Sequence, residues 1–455
     1  MRNRAAEAIE RLRRNLNDSL FKAAPETVTR RPRAELALLL VSMLSLATIL
    51  QLFRIGPGIA LNSLWAEDGP IFLQGAIQHG LWTDLWSTYN GYLVFVPRLV
   101  GEFGALFGLR DAAAAISLLS AFVVALSGLA VWFASAAHLR SPYLRGTLVA
   151  LTVLAPTASL ESVDSGTYVS WYMLFAVFWL LIWRPRTTRG AALGGAFVLL
   201  TSLSTPGVWF FAPLALLRAI AIRDRRDGIL VGSWAAGSAI QVAAYSLQNE
   251  KLVEPLWSHD IWTAYLQRVL DAGALGERLG GRAWEALGWP LLAALLVLAI
   301  VGLFLGLRRA DAGARWLALL AVPISVAMFV VAAYQRAVGP QMRWPADVYF
   351  GAAGRYTIVP ALLLASLALV LVEGAARRQP AHARWLAGAT AALLIAGMAI
   401  SFDLRDSATR GTPSWSDALD AAAAQCRAEG ATVVTVPISP PGFALSVPCD
   451  EVASG

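Results

Sequence analysis

Hydrophobic residues in this chain come in long runs rather than in alternation, and the runs set the architecture. The first, from about Ala34 to Phe53, is long enough at about 1.5 Å per residue to cross a hydrocarbon core of about 30 Å. Further apolar segments lie near 113–136, 145–159, 168–183, 190–204, 207–222, 228–247, 288–307, 316–334, 357–373 and 385–402. The pattern predicts an all-α polytopic membrane protein with about 11 transmembrane helices. Several segments, notably 145–159, 168–183 and the pair meeting at Ser204–Thr205–Pro206–Gly207, are short for a simple crossing, so a turn there is expected to sink into the protein. Leu93 to Leu109 is apolar too, but Pro97, Arg98 and Glu102 interrupt it, and it reads as a helix lying on the membrane surface in the first outer loop.

Charge gives these runs a direction. Arg2, Arg4, Arg11, Arg13, Arg14, Lys22, Arg30, Arg31 and Arg33 precede the first run, so the positive-inside rule holds residues 1–33 in the cytoplasm as a basic N-terminal segment. That polar stretch is too long for a signal peptide, and no small-residue cleavage pattern follows the run. Later arginine clusters, at Arg140 and Arg145, Arg184 to Arg189, Arg218 to Arg226, Arg308 to Arg315 and Arg377 to Arg384, mark further cytoplasmic turns. The membrane domain then covers 34–402, with outer loops 54–112 and 247–288, and an extracytoplasmic C-terminal segment covers 403–455. Composition agrees: a chain of 455 residues that is 57% hydrophobic and only 15% charged lacks the polar surface to be soluble. Mean hydropathy is +0.58. The net charge of +7 sits in short clusters between apolar runs, which argues for membrane lipids and against nucleic acid as partner. A composition rich in Ala and Arg and poor in Lys points to a GC-rich bacterial genome, hence a plasma (inner) membrane location.

Cys426 and Cys449 are the only cysteines. Both fall in the outward segment, where an oxidising compartment allows a disulfide, and they are expected to pair. The same segment holds a helix-like Trp415 to Arg427, a β-branched run Thr432 to Val436 and a turn-rich Pro437 to Gly442. It is too small for an independent core, so it should rest on the outer ends of the spans.

Chemistry is sought in the outward loops. Glu67 and Asp68 stand just before Gly69–Pro70, at the membrane surface where a lipid-linked headgroup would sit. A carboxylate there can act as a general base; the bland alternative for Asp68 is a helix N-cap before proline. Tyr89, Asn90, Tyr92 and Arg98 follow among tryptophans, readable as an interfacial belt or as a sugar platform of stacking rings and hydrogen-bonding groups. Glu161 and Asp164 lie in a second outward loop. Arg336, Arg343, Arg355 and Tyr356 lie around a third, where arginines run against the positive-inside bias and suit phosphate through their planar fork. Arg355 and Tyr356 read equally as an interfacial anchor. No P-loop, dinucleotide fingerprint or metal-ligand spacing is present, so no cofactor is assigned and a divalent metal stays open.

At this point the chain resembles the GT-C superfamily of polyprenyl-phosphate-sugar-dependent membrane glycosyltransferases. The likeness is sharpest from Trp65 to Arg98, in Glu67–Asp68–Gly69, Tyr89–Asn90–Gly91–Tyr92 and Pro97–Arg98. It implies a polyprenyl-phosphate-linked sugar as donor, a cell-envelope glycan or lipid as acceptor, and inverting transfer at the outer face. In that reading Asp68 takes the acceptor proton, Glu67 orients it, and Arg355 with Arg343 or Arg336 steadies the departing phosphate. A transporter or flippase is the competing class. It would place functional charges near the bilayer midplane, whereas these spans hold almost no ionisable residue.

Overall fold

The computed structural model describes residues 2–25, 32–247, 254–336, 354–378, 380–404 and 413–454. Among the described residues six helices are long and apolar enough to cross a membrane: Ala34–Ile55, Gly108–Ala137, Arg225–Ser246, Trp289–Arg308, Ala312–Gln335 and Arg355–Arg377. Gly166–Ile182, Pro206–Ala221 and Ala387–Ile400 are shorter apolar helices, and Pro142–Val153 and Thr188–Ser202 are helical as well. Each apolar segment of the sequence therefore falls on a helix. The chain is a helical membrane protein.

Burial tells which helices form the centre. Val169–Ile182 is apolar all round and buried at every residue but Trp171, the signature of a helix enclosed by others. It packs on the helices beginning at Gly108, Thr188 and Arg355. Trp289–Arg308 buries only Leu292, so nearly its whole apolar surface is left for lipid.

The two ends of this bundle differ. One end, called here the arm end, carries the helix Arg2–Ser19. It lies against Ala212–Ala221 and Ala312–Gln335, with Leu16, Leu20 and Phe21 fully buried. The basic N-terminal segment is thus docked structure. The opposite end, the cap end, is built from residues 57–105 and from the C-terminal segment. Its helix Phe95–Ala105 packs on Gly108–Ala134, and at Gly101 the backbone of Phe72 lies 2.6 Å from where a Cβ would stand. No larger residue fits there without moving that chain.

The cap end adds two short antiparallel strand pairs to this helical architecture. Thr88–Tyr89 pairs with Tyr92–Leu93. Asn90 and Gly91, both at positive φ, form the two-residue turn between them, as an Asn-Gly hairpin requires. In the C-terminal segment Val433–Ile438 pairs with Phe443–Pro448 beside the helix Trp415–Glu429, and Cys426 is disulfide-bonded to Cys449. This segment shares one hydrophobic core with the first loop, in which Leu64, Leu73 and Leu109 meet Trp415, Val436 and Ile438.

Candidate functional site

The Glu67–Asp68 pair sits on a tight turn, Ala66–Asp68, that follows extended Trp65. Ala66 takes a φ of +45°, a costly geometry for a residue with a Cβ, held here by its surroundings. The N-cap reading of Asp68 does not survive, since its side chain makes no capping bond to the turn that follows. It crosses to another loop instead. One carboxylate oxygen accepts the Thr167 amide at 2.8 Å and the Thr167 hydroxyl at 2.7 Å, and the other accepts the Gly166 amide at 3.2 Å. Asp68 is 2% exposed. Burial pushes its pKa up to about 6, against the opposing pull of the hydrogen bonds from Thr167 and Ser165.

Glu67, its neighbour, is only partly buried and points the other way. Its two oxygens accept the Tyr89 hydroxyl at 3.3 Å and the Tyr168 hydroxyl at 3.0 Å. Tyr89 is held there by the Asn90–Gly91 hairpin, and burial beside Glu67 lifts its pKa to about 12, so it stays a donor. The Tyr168 ring lies 5.0 Å from the Arg355 guanidinium, and the Tyr356 ring lies 4.7 Å from it on the neighbouring residue. Arg355 donates to Glu161 at 2.6 Å and to the Tyr356 hydroxyl at 3.2 Å, while its amide donates to the second Glu161 oxygen at 3.1 Å. Burial raises the Glu161 pKa, and Arg355 opposes that rise. Trp171 packs edge-on to Tyr356 at 5.3 Å.

Tyr92 completes this shell. It lies within electrostatic reach of Arg336, Tyr356, Arg355 and Glu67, and burial raises its pKa. The Arg336 guanidinium stands 6.0 Å from its ring. Residues from five separate stretches of sequence thus gather two carboxylates and two guanidinium groups around tyrosine rings. Such a cluster offers a proton acceptor in Glu67, ring faces for stacking and guanidinium groups for an anion.

Other sequence candidates lie elsewhere. Arg98 is 5% exposed and is committed to Asp84 at 2.5 Å and to the Ser87 carbonyl at 2.9 Å, so it braces the first loop. Asn90 serves as a turn residue. Asp164, at a φ of +55°, sits behind Asp68 rather than in the tyrosine shell. Both carboxylates border a small cavity of about 20 Å³, enough for one water. Neither Asp164 oxygen has a hydrogen-bond partner, and burial lifts its pKa to about 7 against the pull of Arg54. Arg343 lies outside the described residues. Among the described residues no group of three His, Cys, Asp or Glu side chains is placed to hold a metal ion. Tyr168 is the site residue least marked in the sequence. Its position at the start of an apolar helix beside two loop carboxylates was the available signal.

Fold and site together define a helical membrane protein with a cluster of tyrosines, carboxylates and arginines at one end of its bundle. A crystal structure of the Archaeoglobus fulgidus oligosaccharyltransferase, in complex with Zn and sulfate, is similar over 86% of this chain and 56% of that one, with 14% identity and a TM-score of 0.41. This chain therefore spans little more than half the length of that protein. No family model and no curated protein matches the chain.

Proposed function

We propose that this protein is a membrane glycosyltransferase that moves a sugar from a polyprenyl-phosphate donor to a cell-envelope glycan or lipid acceptor, with inversion. The observation that carries the reading is Tyr168, whose hydroxyl holds Glu67 while its ring faces Arg355. One side chain thereby touches both a proton acceptor and an anion-binding fork. In this reading residues 1–33 are cytoplasmic, the chain crosses a bacterial plasma membrane 11 times within 34–402, and 403–455 lie outside with the cap end.

The geometry shifts weight within the carboxylate pair. Asp68 is enclosed and both its oxygens are engaged, which suits a residue that fixes the turn. Glu67 is the less buried of the two, and its oxygens are held only by tyrosine hydroxyls, which an acceptor hydroxyl can replace. As the acceptor oxygen bonds to the anomeric carbon, its proton passes to Glu67 and the bond from that carbon to the phosphate oxygen breaks. The electron pair leaves with the phosphate, whose charge Arg355 and Arg336 meet. A phosphate leaving group needs no strong acid. Stacking of the sugar on Tyr89, Tyr92 or Tyr356 orients the anomeric carbon.

The test is transfer of radiolabelled sugar from a polyprenyl phosphate by purified protein in nanodiscs, beside uptake of the same lipid-linked sugar by proteoliposomes. Product with wild type and about a hundredfold less with Glu67→Gln is expected. Uptake without product would replace the enzyme with a transporter.

A further inference from the structure

The carboxylate turn is not folded by its own neighbours in sequence. Its first residues are paired to the C-terminal segment as a short parallel bridge, Trp65 to Ser439: the Ala66 amide donates to the Ser439 carbonyl at 2.6 Å, and the Ser439 amide donates to the Leu64 carbonyl at 3.2 Å. At its far side Gly69 faces Ile438. A Cβ on Gly69 would stand 2.5 Å from the Ile438 Cδ1 atom and 3.5 Å from a Leu445 methyl, and Ile438 is itself 3% exposed. The strained Ala66 is therefore held between a backbone bond on one side and a packed side chain on the other. Below the turn, the Ser446 amide donates to Gln74 at 2.8 Å.

The C-terminal segment is in turn anchored away from the turn. The Trp415 indole donates to the Leu109 carbonyl at 2.7 Å, and Asn62 exchanges two side-chain bonds with Ser416. The disulfide ties the helix that carries Trp415 to the end of the hairpin that carries Ile438 and Ser439. That disulfide is the covalent tie between helix and hairpin end, which otherwise meet through their shared core.

We propose that Ile438 and Ser439 are positioning residues of the site, setting the turn that presents Glu67, and that the Cys426–Cys449 disulfide makes this setting conditional on oxidation. The proposal rests on the reading of Glu67 as a site residue, while the geometry of the turn can be followed without any activity. Glu67 meets Tyr89 and Tyr168 only if Trp65 and Ala66 keep their path, because a displaced turn swings its side chains by more than a hydrogen bond tolerates.

Hydrogen exchange on the full chain in nanodiscs tests the first half. Reduction, or the Cys426→Ser/Cys449→Ser pair, should speed exchange of the peptide covering 64–70 by about tenfold or more, with the peptide covering 218–227 at the arm end unchanged. Unchanged protection at 64–70 after verified reduction would overturn the redox link. A size exchange tests the second half. Gly69→Ala should lower kcat by about tenfold with KM nearly constant, and adding Ile438→Val, which removes the colliding Cδ1 atom, should restore it. A Gly69→Ala protein with wild-type exchange at 64–70 and wild-type kcat refutes the positioning role, and so does a double variant no better than the single one. If wild type transfers no sugar at all, the function reading fails, and exchange at 64–70 in the same two variants still decides whether Ile438 sets the turn.

Discussion

Two buried arginine–carboxylate pairs stand at opposite ends of the bundle, and their surroundings differ more than the pairs do. At the arm end Arg218 donates to Asp227 at 2.6 Å and to the carbonyls of Trp183 and Ile182. Its side chain is 1% exposed, and the Phe21 ring covers it at 4.8 Å. At the cap end Arg355 meets Glu161 at the same 2.6 Å, yet its side chain is 24% exposed and its other contacts are tyrosine rings and a hydroxyl. Main-chain carbonyls cannot be displaced without unfolding, whereas a hydroxyl and two ring faces can yield to an incoming anion. The same ion pair is thus a rivet in one place and an exchangeable clamp in the other.

The comparison breaks first at Arg218. Arg218→Ala leaves Asp227 buried without its partner and should cost about 3–5 kcal/mol of stability, read as a lower unfolding temperature in detergent with unchanged donor binding per folded molecule. A stable variant that loses donor binding would reverse the two roles. The next effect falls on Glu67: Glu67→Gln should fold normally and lose about a hundredfold in transfer, measured as kcat at saturating donor. Arg355→Lys keeps the charge but not the fork, so donor affinity should fall by about tenfold with little change in unfolding temperature. Equal donor affinity in that variant would favour an interfacial anchor over a clamp.

The smallest effect is a pH slope at the cap end. Asp68 and Asp164 have pKa values raised from an ordinary 3.8 to about 6 and about 7. A raised carboxyl pKa means the folded state binds the proton more tightly. The stability each group contributes is therefore full below about 3.8 and is lost as pH rises through about 6 and about 7 respectively. Unfolding free energy should therefore fall as pH rises from 5 to 8, and Asp164→Asn should flatten the upper part of that slope. A variant with the wild-type slope would show that Asp164 does not titrate in this window.

How far the sequence reaches is visible at particular residues. The helices were legible because lipid demands a long apolar run wherever the chain crosses, a rule that works residue by residue. The cysteine pair and the helix from Trp415 were legible for similar reasons. Asn90 was not read as a turn, although Asn-Gly between apolar residues is a hairpin signal, because the aromatic residues around it drew attention to binding. The partners of Asp68 were out of reach. Gly166 and Thr167 stand 98 and 99 residues away, and no local pattern states which loop a carboxylate will cross to. The same holds for Arg98, whose commitment to Asp84 appears only once both are folded against Gly75.

The first long helix ends at Ile55, and Arg54 beside that end donates to the Ser401 carbonyl at 3.2 Å while its own carbonyl accepts the Leu404 amide at 2.7 Å. A ribosome makes residues 54 and 404 far apart in time, so a nascent chain holds an unclosed ring of helices through most of its synthesis. Every bond that seats the turn at Glu67 against residues 438–446 is later still. The cap end must therefore wait, with its carboxylates unplaced, until nearly the whole chain has emerged, so that a truncated product carries the helices without a formed site.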